Sequence, residues 1–209
     1  MVDRDEVRRG YDKLESTYAA ERAEEELETK VLDAFLEELP ADARVLDAGC
    51  GPGTPRLSAL SDRMSAVGLD FSRAQLELAR ENAPAAALLR GDMSQLPVRE
   101  GTVDAITALH SLIHVPLEDH QAVIDEFARA LGPGGRVLLS EGPEAWRGSN
   151  SDWLDSGVAM AWHIAGLDAT KDHLRSAGFV VTDEWGTTQE FAGDEEQWAY
   201  VAARRKGRQ

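Results

Sequence analysis

Hydrophobic positions recur at helical spacing from about Asp5 to Leu39. Val7, Tyr11, Leu14 and Tyr18 lie four, three and four apart on one helical face. Leu27, Val31, Leu32, Phe35, Leu36 and Leu39 repeat the pattern until Pro40 stops it. The charged run Glu21 to Glu28 between them reads as solvent-facing. From Arg44 onward short apolar runs alternate with amphipathic segments. Strands are expected at Arg44–Ala48, Met64–Leu69, Ala87–Arg90, Thr102–Ala108 and Arg136–Ser140. Between them, Thr54 is expected to cap a helix with Pro55 in its first turn, and Ser72 to cap another running to Asn82. Pro116 to Leu131 carries Val123, Ile124, Phe127, Ala128 and Leu131 on one face, and Gly132-Pro133-Gly134-Gly135 turns the chain back. Strands separated by helices predict parallel βαβ units, hence a doubly wound, Rossmann-like α/β sheet with helices on both faces.

After Ser140 the alternation pauses. Glu141 to Leu167 is long for a plain connection and holds Trp146, Trp153, Met160 and Trp162. These side chains either line an apolar pocket or pin the segment to the sheet. Asp168–Ala177 reads as a helix closed by Gly178, and Phe179–Trp185 and Trp198–Arg204 as strands. With no helical pattern between these last two, they are expected to pair antiparallel at one edge of a seven-stranded sheet.

The richest stretch in chemistry is Val45-Leu46-Asp47-Ala48-Gly49-Cys50-Gly51-Pro52-Gly53-Thr54. It reads as a strand, a tight turn and a helix start, with alternate glycines letting a ligand approach the backbone. The helix start that follows would suit an anionic group. A dinucleotide fingerprint wants G-x-G-x-x-G and an acid about 20 residues on. Asp70 stands 21 residues after Gly49, but Thr54 occupies the third glycine position. Asp70 alone serves any adenosine cofactor, so an NAD-dependent oxidoreductase remains the alternative on the glycine turn alone.

The order Asp47-Ala-Gly49-Cys-Gly51-Pro-Gly53, Gly68-Leu-Asp70-Phe-Ser72, Gly91-Asp92-Met93, Val103-Asp104 and Leu131-Gly-Pro-Gly-Gly135 is more specific. Over about residues 44–141 it resembles the class I S-adenosylmethionine-dependent methyltransferases of small-molecule type. The resemblance implies methyl transfer from S-adenosylmethionine to a small-molecule acceptor, with a non-catalytic cofactor-binding module as a further alternative. It places Gly49 and Gly51 against the methionyl part, Asp47 beneath that loop, Asp70 on the ribose hydroxyls and Phe71 along the adenine. It places Asp92 on the adenine amine, Met93 N–H at a ring nitrogen, and Leu109 near the sulfonium. Tyr18, with Arg22, resembles an N-terminal pair that touches the cofactor in some relatives. The expected organisation is an N-terminal helical cap over 1–40, then a methyltransferase domain over 41–209 with 141–167 as a substrate lid.

His110 and His114 follow the fourth strand, where a histidine could serve as general base near neutral pH. His110 is the candidate; His114 reads rather as packing against or capping the next helix, and His163 in the Trp-rich segment is undecided. No metal site is expected, since the two histidines lack a zincin-type glutamate.

Composition narrows the partners. Asp and Glu total 38 against 22 Lys and Arg, a formal charge of −16, and only Lys13, Lys30, Lys171 and Lys206 are lysine. Spread acidity with scarce lysine resembles halophile proteins, in which molar salt screens self-repulsion over a Debye length of about 3 Å. A nucleic-acid partner is not expected, because phosphate binding needs a basic footprint. No run of about 18 apolar residues is present, so no membrane role is expected. The charged N-terminus argues against a signal peptide, and the single Cys50 fits a reducing cytoplasm. A homodimer is compatible with these features.

Overall fold

The computed structural model describes residues 4–21, 26–191 and 194–207, with side chains at 15–21, 26–27, 187–191 and 194–196 outside the description. Helices α1 (Arg4–Glu21) and α2 (Glu26–Glu37) precede β1 (Arg44–Ala48), α3 (Arg56–Ser61), β2 (Ser65–Asp70), α4 (Arg73–Asn82) and β3 (Ala87–Arg90). Then come β4 (Val103–Ala108), α5 (His120–Ala130), β5 (Leu131–Glu141), β6 (Trp146–Trp153) and β7 (Val158–Ile164). The chain continues through α6 (Leu167–Ser176), β8 (Phe179–Phe191) and β9 (Asp194–Arg205). Seven strands form one sheet in the order β3-β2-β1-β4-β5-β9-β8. The pairs from β3 to β5 are parallel, and β9 runs antiparallel to both β5 and β8. The reversed strand therefore sits one place in from the edge.

Apolar runs become central strands because both faces of the sheet are covered. Successive residues of β1 point to opposite sides. Leu46 joins Ile106, Val137, Leu139 and Val201 beneath Val123, Phe127 and Leu174 of α5 and α6. Val45 joins Ala105, Leu138 and Tyr200 beneath Phe35, Leu57 and Leu76 of α2, α3 and α4. The Gly132–Gly135 segment is a bulge inside β5 rather than a separate turn. Pairing with β4 jumps from Val103↔Leu131 to Ala105↔Arg136 across it, and Gly134 takes φ +77°.

Three local expectations differ from the structure. Thr54 does not cap α3, which begins at Arg56 with Pro55 at its N-cap and has six residues. Ser58 N donates to Gly53 O at 2.9 Å, so a loop carbonyl rather than the Thr54 hydroxyl takes that donor. So short a helix provides no macrodipole site for an anion. Ser72 does cap α4, its Oγ accepting from Gln75 N at 3.2 Å. Glu28, read from sequence as solvent-facing, is 6% exposed. The long Glu141–Leu167 segment is an antiparallel hairpin, β6 with β7, forming its own two-stranded sheet.

That hairpin is held by α1. Val7, Tyr11 and Leu14 pack with Val158 and Met160, and Trp153 and Trp162 close the same cluster. A Cβ on Gly10 would lie 3.0 Å from Met160 Cε, so this glycine lets α1 approach β7 closely. At the hairpin's base Glu141 is fully buried and accepts from Gly142 N and Thr170 Oγ1, each at 3.0 Å. Among the described residues, no helix is long and apolar enough to cross a membrane.

Candidate active site

The order of strands reverses between β1 and β4, and open α/β sheets form a ligand crevice at the carboxyl ends of strands where this happens. Here the crevice encloses about 660 Å³ of empty space, solvent at its mouth included. Loops after β1, β2, β3 and β4 supply most of its lining, and Arg4 and Tyr11 of α1 cover it.

The turn after β1 hangs over the end of β2. Gly49 N and Cys50 N both donate to Leu69 O, at 2.7 and 3.0 Å, and Gly51 N donates to Asp70 Oδ2 at 2.9 Å. Gly49 has φ +84°, and a Cβ there would stand 2.3 Å from Ser111 Cβ. No other residue type fits that backbone and that gap. Asp70 Oδ1 accepts from Ser72 N at 2.8 Å. Burial is the main cause that raises the Asp70 carboxyl to about 6; backbone N–H donors from Ser72 and Gly51 oppose it and the nearby Asp47 adds to it. Burial, then Asp70 and Asp47, also push the Cys50 thiol well up, which leaves it a small inert turn residue.

Of the residues expected from sequence, Gly49, Gly51, Asp70, Phe71, Asp92, Met93, His110 and also His114 line this crevice. Asp47 does not: it is fully buried in β1, accepting from Thr107 Oγ1 of β4 at 2.8 Å. Leu109 does not line it either, because its side chain is buried in the core on the α2 face and only its carbonyl meets Arg56, at 3.2 Å. The Tyr18 side chain and Arg22 lie outside the described residues. Asp92 faces the crevice but is partnered: Oδ1 accepts from Ser94 N and Oγ, and Oδ2 from Arg4 Nη1 at 2.8 Å. Arg4 also reaches Asp119 at 2.6 Å, so α1 is strapped across the position assigned to the adenine amine.

One part of the crevice lining was not foreseen. Arg56 lines the crevice and donates to buried Glu28 at 3.0 Å; Glu28 Oε2 is 3.0 Å from His110 Nε2. Glu28 shares the helical stripe of Val31, Leu32 and Phe35, three, four and seven residues on, and that spacing was the available signal. Arg56 stands four before Leu60 on an apolar face, a weaker cue. His110 has φ +53°, its N–H donates to Ser140 Oγ at 2.6 Å, and Trp198 and Tyr200 meet its ring edge-on. His114 Nε2 lies 2.7 Å from Tyr11 Oη and its Nδ1 3.3 Å from Ala161 O, so it links α1, its own loop and β7. Trp153 and Trp162 stand behind Tyr11 and His114 in the hairpin cluster, while Trp146 is 52% exposed. Neither these tryptophans, Met160 nor His163 lines the crevice. Among the described residues no cluster of three or more His, Cys, Asp or Glu could hold a metal ion.

S-adenosylmethionine fits these residues. The missing Cβ at Gly49 leaves a cradle at backbone level, and Asp70 lines the crevice with backbone N–H groups of Gly51 and Ser72 on its two oxygens. A carboxylate has about four acceptor sites, so capacity for a cofactor hydroxyl remains beside these backbone donors.

A family model described as a methyltransferase domain matches residues 45–135. The 27-O-demethylrifamycin SV methyltransferase of Amycolatopsis mediterranei (strain S699) is 32% identical over 169 residues, covering 74% of this chain and 61% of that protein. The S-adenosyl-L-methionine-dependent Diels-Alderase iliD of Neonectria sp. (strain DH2) is 30% identical over 198 residues, covering 87% and 75%. The chain spans only 38% of a 37.1 kDa protein in transposon TN4556 of Streptomyces fradiae, at 36% identity over 138 residues. Among solved structures, an S-adenosylmethionine-dependent methyltransferase from Methanosarcina mazei superposes with a TM-score of 0.74 at 18% identity, covering 84% of this chain and 98% of that one. The [4+2]-cyclase SpnF gives a TM-score of 0.67 at 21% identity, covering 86% and 81%. The structural neighbours share the fold, and the sequence likeness extends across three quarters of a curated relative. The chain belongs to the class I S-adenosylmethionine-dependent methyltransferase family.

Proposed function

We propose that this protein transfers a methyl group from S-adenosylmethionine to a small-molecule acceptor bound in the crevice. The observation that carries this reading is a crevice lined together by Gly49, Asp70 and His110, with Glu28 holding His110. When bound, the cofactor supplies an activated methyl carbon, so the protein's work is alignment and exclusion of water. Gly49, Gly51 and Asp70 hold the cofactor end; α1 and the hairpin, joined through Tyr11 and His114, cover the acceptor; His110 takes the proton. In this reading 1–40 and 141–167 act together as cap and lid.

The acidic surface, at −16, disfavours polyphosphate partners and suits a cytoplasm of high salt. S-adenosylhomocysteine is expected to raise the melting temperature in molar KCl, and Asp70→Ala to abolish the rise. A broad acceptor panel is then scored for S-adenosylhomocysteine formation. No thermal shift in low or high salt overturns the cofactor assignment.

A second reading is favoured by two relatives, one named a Diels-Alderase and one a [4+2]-cyclase. In it the cofactor stays intact while the cap shapes a cycloaddition. Product formation from a diene with no S-adenosylhomocysteine released separates this reading from methyl transfer.

A further inference from the structure

A second cavity lies outside the crevice and shares no lining residue with it. It encloses about 1010 Å³ of empty space, solvent at its mouth included, between the start of α1 and the β6–β7 hairpin. Val7 and Met160, each 2% exposed, give it an apolar surface. Its polar lining comes mainly from the Arg147-Gly-Ser149-Asn150-Ser151 run of β6 and from His163 of β7, which stands opposite Arg147 in the hairpin register.

These side chains leave their donors unused. Among the described residues no carboxylate pairs with Arg147, in a chain with 38 acidic residues, and the Ser149 and Ser151 hydroxyls make no hydrogen bond. Asn150 uses only its Oδ1, which accepts from Asp152 N at 2.8 Å. His163 decides the matter. It is 5% exposed, and its Nδ1 is enclosed with no hydrogen-bond partner. Nε2 has no partner among the described residues either but is not enclosed, so it is the nitrogen that opens on the cavity. Burial, then the nearby Arg147, hold this imidazole below its ordinary pKa, with Glu118 opposing, so the ring is neutral and carries one N–H. An enclosed N–H without a partner is rarer in folded proteins than an enclosed lone pair, which puts the proton on Nε2. Buried polar groups are partnered as a rule, and an idle donor at a cavity wall marks a place for an acceptor.

The donors set what that acceptor is. A planar guanidinium matches the two oxygens of a carboxylate together. Glu6 lines the same cavity and the chain carries −16, which opposes a doubly charged phosphate more than a single carboxylate. We propose that this cavity is a second small-molecule site, for an organic monocarboxylate whose carboxylate is held by Arg147 and His163 and whose apolar body lies on Val7 and Met160. Such a ligand bridges the two elements that cover the crevice. Val7 stands one helical turn before Tyr11, and Ala161, which also lines the cavity, gives its carbonyl to His114 Nδ1.

The test follows 4-fluorobenzoate by fluorine NMR in the presence of the full chain. The probe is expected to bind with a Kd below about 1 mM, at least fivefold tighter than 4-fluorobenzylamine or 4-fluorophenyl phosphate. Arg147→Gln, at an exposed position, should melt within about 2 °C of wild type and weaken the probe at least tenfold. His163→Phe keeps a ring in place without its nitrogens and should weaken the probe at least fivefold. The absence of saturable binding overturns the proposal. So does wild-type affinity in Arg147→Gln, which would put the probe elsewhere, and so does tighter binding of the amine or the phosphate, which would contradict the ligand class. None of these outcomes depends on S-adenosylhomocysteine, so the methyl-transfer reading stands or falls separately.

Discussion

Lowering the pH is a direct probe of Asp70. Its carboxyl is raised to about 6 from an ordinary 3.8, mainly by burial. A carboxyl whose folded pKa lies above its unfolded one costs nothing below the lower value. It destabilises progressively as pH rises between the two, and the full cost remains above the higher. The difference is worth about 3 kcal/mol at pH 7. Ribose hydroxyls donating to the carboxylate favour the ionised form, so cofactor binding releases a proton between about pH 4 and pH 6. S-adenosylhomocysteine affinity should therefore be level from about pH 7 upward and fall by up to roughly tenfold per unit below about 6. Titration calorimetry in buffers of different ionisation enthalpy measures the affinity and the proton count together. Asp70→Asn removes the charge but sets an amide N–H₂ against a backbone N–H, costing about 1–3 kcal/mol. At neutral pH the two effects are opposed, so the variant should fold, bind weakly and show no dependence on pH from 5 to 7. Equal affinities for the wild type at pH 5 and pH 7 would refute the assignment of Asp70 to the cofactor.

Three further outcomes follow from the same structure. Gly49→Ala combines φ +84° with a Cβ 2.3 Å from Ser111 Cβ; it should lower stability by about 2–4 kcal/mol in urea titration and abolish cofactor binding. Glu141, raised by burial to about 7, should make the wild type lose about 3 kcal/mol as pH climbs from about 4.5 to 7; Glu141→Gln should flatten that slope in melts across the range. At −16, raising KCl from about 0.1 M to 1 M shortens the Debye length from about 10 Å to 3 Å and should raise the melting temperature, while a fall would refute adaptation to salt.

The part of the site legible in the sequence is the part whose residues are local. Gly49, Asp70 and Asp92 sit where strands end, and strand ends show as apolar runs breaking into glycine or acid. Val45, Leu46, Ile106 and Leu138 are fully buried on opposite faces of one sheet, which is why their segments read as apolar strands despite Asp47 and Asp104 within them. The hairpin was hidden because β6, from Trp146 to Trp153, exposes nearly every residue and has no apolar alternation to read. The convergence of Glu28, Arg56 and His110 was hidden for a different reason. Glu28, Arg56 and His110 are separated by 28 and 54 positions and converge only when α2 and α3 pack on the same face of the sheet. Leu109 shows the limit of carrying a role by position alone: the residue at the strand end turned into the core, and His110 beside it took the crevice.

His110 is held from every side. A non-glycine residue at φ +53° carries backbone strain of about 1–3 kcal/mol and persists only where its surroundings over-determine it. Here Ser140 of β5 takes its N–H, Trp198 and Tyr200 of β9 box the ring, and Glu28 of α2 holds Nε2. The strand that runs against its neighbours, β9, thereby packs two aromatic rings against the imidazole from a part of the chain about ninety residues beyond the histidine. The reversed strand beside β5 thus shapes the surroundings of His110 as well as the sheet. It delivers aromatic side chains across the carboxyl end of β5, where a seventh parallel strand would present its own C-terminal loop. The imidazole is fixed in direction before any ligand arrives, and so little orientation entropy remains to be lost when an acceptor binds.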